Sequence, residues 1–150
     1  MKSYYLEDFK VGDKYISVGR TVTESDIAWF AGLSGDITSV AINTEAARQS
    51  DFGGRIAQGM LGSSILFGLW VRLGLMELNG IALLETSWRY ILPIRPGDTI
   101  HAECVITRVR PSSKGGLKGT VSVTLDGVNQ LDEMVQEASM VYLIKSRGLY

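Results

Sequence analysis

Hydrophobic positions change their period along this chain, and the elements follow from those changes. After a polar opening, Lys14-Tyr15-Ile16-Ser17-Val18 reads as a short strand leading to Arg20-Thr21-Val22-Thr23. Thr23 with Asp26 three residues on makes a capping-box-like start, and Ile27, Phe30 and Ala31 then recur at helical spacing. That helix is expected to stop near Gly32, and Ser34-Gly35-Asp36 opens a loop. Asn43 or Thr44 caps a second short helix through Glu45-Ala46-Ala47-Arg48. Gly53-Gly54-Arg55 is a turn, and a long apolar helix is expected from about Gln58 to Leu75. Leu61, Ile65, Leu69 and Leu73 form one stripe, which Phe67, Trp70, Val71 and Leu75 widen almost to the full circumference. A helix apolar nearly all round is expected to be buried nearly all round. Gly62 and Gly68 cost helix stability, so both are read as points of close packing. Phe67, Trp70 and Arg72 are read as core or interface residues.

Beyond Asn79-Gly80 the period becomes two. Ile81 to Ile91 forms a strand, ended by Pro93 and the turn Pro96-Gly97-Asp98. Ile100, Ala102, Cys104 and Ile106 alternate with His101, Glu103, Val105 and Thr107, a half-buried strand. Ser112 to Gly116 is a loop. Val121, Val123 and Leu125 mark another strand, and Val135 to Lys145 the last. The order is strand, helices, one buried helix, then four strands. It predicts a single α+β domain over residues 1–150, with at least five antiparallel strands curled around one helix in the hot-dog arrangement. A lone sheet of this size leaves edges and part of a face uncovered, so a homodimer is expected.

Composition changes this picture little. With 45% hydrophobic and 21% charged residues the chain is globular rather than disordered. Fifteen basic residues against sixteen acidic, with no basic stripe, argue against nucleic acid as a partner. Cys104 has no second cysteine to pair with and sits in an apolar alternating run, which suits a buried residue in a reducing compartment. The N-terminal residues carry acids where a signal peptide would be apolar, and Met60 to Met76 is too short and too interrupted to span a membrane. A cytoplasmic protein without cofactor or metal is expected.

Several stretches together carry a resemblance. They are Phe30-Ala31-Gly32-Leu33-Ser34-Gly35-Asp36, Ala46-Ala47, and Phe52-Gly53-Gly54-Arg55-Ile56-Ala57-Gln58-Gly59-Met60-Leu61. Trp88-Arg89-Tyr90 and Pro93-Ile94-Arg95-Pro96-Gly97-Asp98-Thr99-Ile100 follow in order. In these the chain resembles the MaoC-like dehydratases, which include the (R)-specific enoyl-CoA hydratases, over roughly residues 5 to 145. The resemblance implies action on an α,β-unsaturated acyl thioester of coenzyme A or an acyl carrier protein, hydro-lyase chemistry, and a site at a dimer interface. In that family a loop of the form D-x-N-P-x-H supplies an aspartate and a histidine that activate water. A backbone N–H at the start of the buried helix polarises the thioester carbonyl.

The match is partial. Asp36 stands at the aspartate and Gly59 at the carbonyl-polarising glycine, but Ala41 occupies the histidine position. Thr38-Ser39 replaces Asn-Pro, Asn43 the acidic residue two beyond the histidine, and Gln58 the histidine before the glycine. Thr38, Ser39, Gln58 and Met60 are the expected substrate contacts. The only histidine, His101, is read as a strand histidine without chemical role. Three explanations stay open. Ala41 replaces a natural histidine in an otherwise ordinary hydratase. Alternatively, the chemistry is altered and runs on Asp36 alone, as a buried carboxylate of raised pKa. Or the chain is a non-catalytic thioester-binding module, or the silent subunit of a heteromeric hydratase.

Overall fold

A computed structural model describes residues 3–148. After a 3-10 turn at Leu6–Asp8 come β1 (Lys14–Ile16), β2 (Arg20–Thr21), α1 (Glu24–Ser34), α2 (Ser39–Ile42), α3 (Thr44–Gln49) and α4 (Gly59–Val71). Four long strands follow: β3 (Gly80–Tyr90), β4 (Thr99–Pro111), β5 (Lys118–Val128) and β6 (Met134–Lys145). The strands make one six-stranded antiparallel sheet in the order β1-β4-β5-β6-β3, with β2 also on β4. Inward positions alternate as period two requires. Ile100, Ala102, Cys104 and Ile106 of β4, Val121, Val123 and Leu125 of β5, and Ala138, Met140, Tyr142 and Ile144 of β6 are buried. They form one continuous core with Leu61, Ile65, Leu66, Leu69 and Trp70 of α4. Burial pushes the Cys104 thiol up to about 12, aided by the Asp126 and Glu103 carboxylates, so it stays protonated.

Helix α1 starts where the pattern placed it. Thr23 accepts from Asp26 N while the Asp26 carboxylate accepts from Thr23 N. Burial opposes ionisation of Asp26, but the Thr23 bonds and the Arg20 guanidinium outweigh it and lower its pKa. The helix runs two residues past Gly32, ending where Gly35 takes φ 77 and its N–H bonds Ala31 O. The stop is the left-handed C-terminal glycine, not the first glycine met. A four-residue helix, α2, occupies what was expected to be loop.

Helix α4 is shorter than its hydrophobic stripe, ending at Val71 rather than Leu75 because the chain turns at Gly74, φ 73. It is also not buried all round. Leu61, Gly62, Ser63, Ile65, Leu66, Leu69 and Trp70 face the core, whereas Met60, Ser64, Val71 and Arg72 are exposed. Gly62 meets the close-packing expectation, since a methyl there would lie 2.4 Å from Gln136 Nε2 and 2.6 Å from Ile94 Cδ1. Gly68 does not; a methyl there would meet open space. Trp70 is core, Phe67 half-buried, and Arg72 lines an open groove between α1 and α4. Among the described residues no helix is long and apolar enough to cross a membrane.

Candidate active site

The segment from Gly35 to Met60 folds as a loop, two short helices and a return to the first turn of α4. Asp36 is partly exposed, not the buried carboxylate expected. Its Oδ1 accepts from Thr38 N at 3.2 Å and Thr38 Oγ1 at 2.6 Å. This is an Asx turn, and the Thr38 hydroxyl donates its proton to the acid. Ser39 opens α2 at the surface. Ala41 points its methyl into the core at 1% exposure, with its N–H on Thr38 O at 2.9 Å. Its carbonyl accepts from Arg55 Nε at 2.8 Å, and Arg55 also pairs with Glu24 at the start of α1. Arg55 therefore ties the Ala41 turn to α1.

Gln58 joins the two halves. Its side chain is buried, and Nε2 donates to Ile27 O at 3.1 Å and Asp36 O at 3.3 Å. These carbonyls fix the amide's orientation and leave Oε1 without a hydrogen-bond partner among the described residues. Gln58 thus holds the Asp36 main chain through Nε2 and keeps Oε1 as a free acceptor. The next residue, Gly59, begins α4, so its N–H has no carbonyl four residues back to bond. The positive end of the helix dipole lies at the same point. Met60 is exposed, and its sulfur accepts from Tyr90 OH at 3.1 Å. Gly59, Tyr90 and Gln136 line a cavity of about 260 Å³ with Phe52, Ile56 and Leu92.

His101 lies outside this constellation. Its neighbours Ile100 and Ala102 are buried beneath α4, so the imidazole projects from the opposite face of the sheet, where Nε2 meets Glu103 Oε1 at 2.9 Å. Within one chain it cannot stand in for the missing histidine. The same outer face carries Glu103, Asp126 and Glu137 side by side across β4, β5 and β6. Burial first, then Glu137 and Glu103, raises the Asp126 pKa. Among the described residues no group of three or more His, Cys, Asp or Glu side chains could hold a metal.

Ser63 and Gln136 escaped the sequence reading, while Arg55 and Tyr90 lie within the stretches that carry the resemblance but were given no role there. One signal was available for Gln136, a polar residue in the inward register of β6 between Val135 and Ala138.

A sheet wrapped on one central helix defines the hot-dog class. A Mycobacterium tuberculosis protein described as a double hot-dog fold superposes at TM-score 0.83 over 99% of this chain and 46% of its own, at 15% identity, a likeness of fold alone. The family follows from sequence: residues 8–129 match the MaoC like domain, and the chain belongs to that family of hydratases and dehydratases. An (R)-specific enoyl-CoA hydratase of Rhodospirillum rubrum is 36% identical over 112 residues, 74% of this chain and 75% of that protein. Protein MaoC of Klebsiella aerogenes is 36% identical over 104 residues, 69% of this chain but only 31% of that longer protein. The crystal structure of a MaoC-like dehydratase from R. rubrum has TM-score 0.88 and 33% identity, covering 98% of this chain and 100% of its own.

Proposed function

We propose that this domain acts on an α,β-unsaturated acyl thioester, or a related conjugated carbonyl, with Asp36 as its one proton-transferring side chain and Gly59 N–H as carbonyl donor. The observation that carries this is the Gln58 bridge. One residue hydrogen-bonds the Asp36 main chain and immediately precedes Gly59, so the acid and the helix N-terminus are held as a unit. An acid and a carbonyl-polarising N–H suffice to move a proton at the carbon beside a carbonyl. Adding water across the double bond also needs a base to activate that water, and Ala41 supplies none. Isomerisation or another α-carbon proton transfer therefore fits the site better than fast hydration. The enoyl-CoA hydratase and mesaconyl-CoA hydratase among its relatives support a coenzyme A thioester, with an acyl carrier protein as the other carrier of the same chemistry.

A homodimer completes this reading. β3 is an edge strand, with Ile81, Leu83 and Leu84 exposed, and the open stripe of α4 at Met60, Ser64, Gly68 and Val71 is left uncovered by its own chain. A second copy adding its β3 alongside would cover the strand edge. The second reading, a non-catalytic module or the silent partner in a heteromer, is favoured by the Ala41 methyl lying in the core with Thr38 turned onto Asp36. Here the loop is built around the missing base, which weighs against a single histidine exchange in an ordinary hydratase.

Asp36→Asn separates the readings. Asparagine keeps the Oδ1 acceptor for Thr38 but exchanges no proton at neutral pH. Assayed on a panel of enoyl-CoA thioesters, the variant should lose turnover while keeping thioester affinity and stability. Wild-type turnover in the variant overturns the lone-acid reading. Equal binding by both forms, with no turnover by either, selects the binding module.

A further inference from the structure

We propose that Gln136 is a positioning residue for the Gly59 N–H, acting through the Gly59 carbonyl. The proposal rests on the carbonyl-donor role given to Gly59 above. Gln136 sits in the inward register of β6 at 2% exposure, among apolar neighbours. Its Nε2 donates to Gly59 O at 3.0 Å, and its Oε1 accepts from Ser63 Oγ at 3.0 Å. The amide orientation is fixed, because Gly59 O can only accept. Ser63 Oγ also lies 3.2 Å from Gly59 O and 3.3 Å from Tyr90 OH, so the first turn of α4 is cross-braced on the sheet side.

A buried glutamine carries a desolvation cost that a leucine or methionine of similar volume would not. What the amide adds is direction. The first turn of a helix has free N–H groups and is the part that frays. Here residues 57 to 59 are held from three sides. Ala57 N donates to Ile94 O at 2.7 Å, Gln58 Nε2 reaches the Ile27 and Asp36 carbonyls, and Gln136 holds the Gly59 carbonyl. A donor aimed in advance stabilises charge on a carbonyl oxygen without reorganising during reaction, which is where such a donor's advantage lies. The absent side chain of Gly62 belongs to the same device. A methyl there would lie 2.4 Å from Gln136 Nε2 and push the amide off Gly59.

Two variants break the same contact by different routes. Gln136→Met removes the amide, and Gly62→Ala displaces it while improving helix propensity, so a shared effect cannot come from one variant misfolding. The probe is 2,4-hexadienoyl-CoA, a conjugated thioester whose absorbance moves to longer wavelength when its carbonyl is polarised. Wild-type protein should bind it with that shift. Both variants should bind within about threefold of the wild-type affinity but lose most of the shift. On a productive substrate kcat should fall about 10–10²-fold with KM little changed, the scale expected when a donor is misaimed. Full shift in both variants, with only a lower Tm, overturns the proposal and leaves Gln136 as a core bolt. Wild-type binding with no shift removes the Gly59 role itself, and the proposal falls with it.

Discussion

Restoring the family base at position 41 is the sharpest perturbation, because activity and stability should move in opposite directions. Ala41 is in the core at 1% exposure, in a four-residue helix pinned by Arg55 Nε on its own carbonyl. Ala41→His adds an imidazole to a site filled by a methyl, and overpacking of this kind costs about 1–3 kcal/mol. For a domain of this size that lowers Tm by about 2–12 °C. In return, a general base beside Asp36 contributes about 10²–10⁴-fold to water addition, equivalent to about 2.7–5.4 kcal/mol of barrier. The gain should fall at the lower end, because Thr38 keeps its hydroxyl on Asp36 and Gln58 stands where the family has a second histidine. Crotonyl-CoA hydration, followed by loss of enoyl absorbance at fixed protein concentration, measures it. Wild-type protein should be about 10²–10⁴-fold slower than a relative with histidine. Adding Asp36→Asn to Ala41→His should abolish the gain, since the two groups act as a pair. A folded Ala41→His protein with no more hydratase activity than wild type would refute the placement of position 41 in the site.

Three further outcomes test the architecture. Leu69→Asp places an unpaired charge at a core position of α4 and should cost at least about 3–5 kcal/mol, seen as loss of the cooperative thermal transition; a stable, folded variant would contradict the buried helix face. Light scattering at micromolar concentration should give a dimer, and Leu83→Arg on the exposed edge strand should give a monomer with its fold intact by circular dichroism. A wild-type monomer would remove the dimer. Asp126→Asn should raise stability at pH 7 by about 0.5 kcal/mol, the scale of like charges facing across strands. The sign follows from the raised carboxyl: its penalty is absent below the unfolded pKa and grows as pH rises through the folded one. Urea titrations of the two proteins should therefore converge below about pH 4. The lowered carboxyl of Asp26 works in the opposite sense, stabilising at neutral pH and losing that contribution as pH falls.

Local pattern was enough for much of this fold. Thr23 and Asp26 announce α1 because both halves of a capping box lie within three residues. Alternation from Ile100 to Ile106 and from Val121 to Leu125 identifies strands and their buried faces, since side chains on a strand change sides at every residue. The backbone of the candidate site was legible too: Asp36 in a turn and Gly59 at a helix start are properties of single positions. The ends of elements were less so. Gly35 rather than Gly32 stops α1, and Gly74 cuts α4 short, because a glycine ends a helix only where the chain takes a left-handed turn.

Tertiary structure alone decided which partners the polar groups of the candidate site take. The Gln58 Nε2 bonds to two distant carbonyls, Ile27 and Asp36, follow from packing and from no local pattern. The Thr38 hydroxyl donates to Asp36, an orientation that the spacing alone does not give. Gln136, 77 residues from Gly59, joins the helix N-terminus only through the pairing of β6 within the sheet and the space left by Gly62. His101 lies on the outer face of the sheet, away from Asp36 and Gly59 of its own chain. Sequence spacing determines periodicity, and so which side of an element is apolar. A hydrogen bond between side chains far apart in the chain depends on how those elements pack, and no local pattern records it.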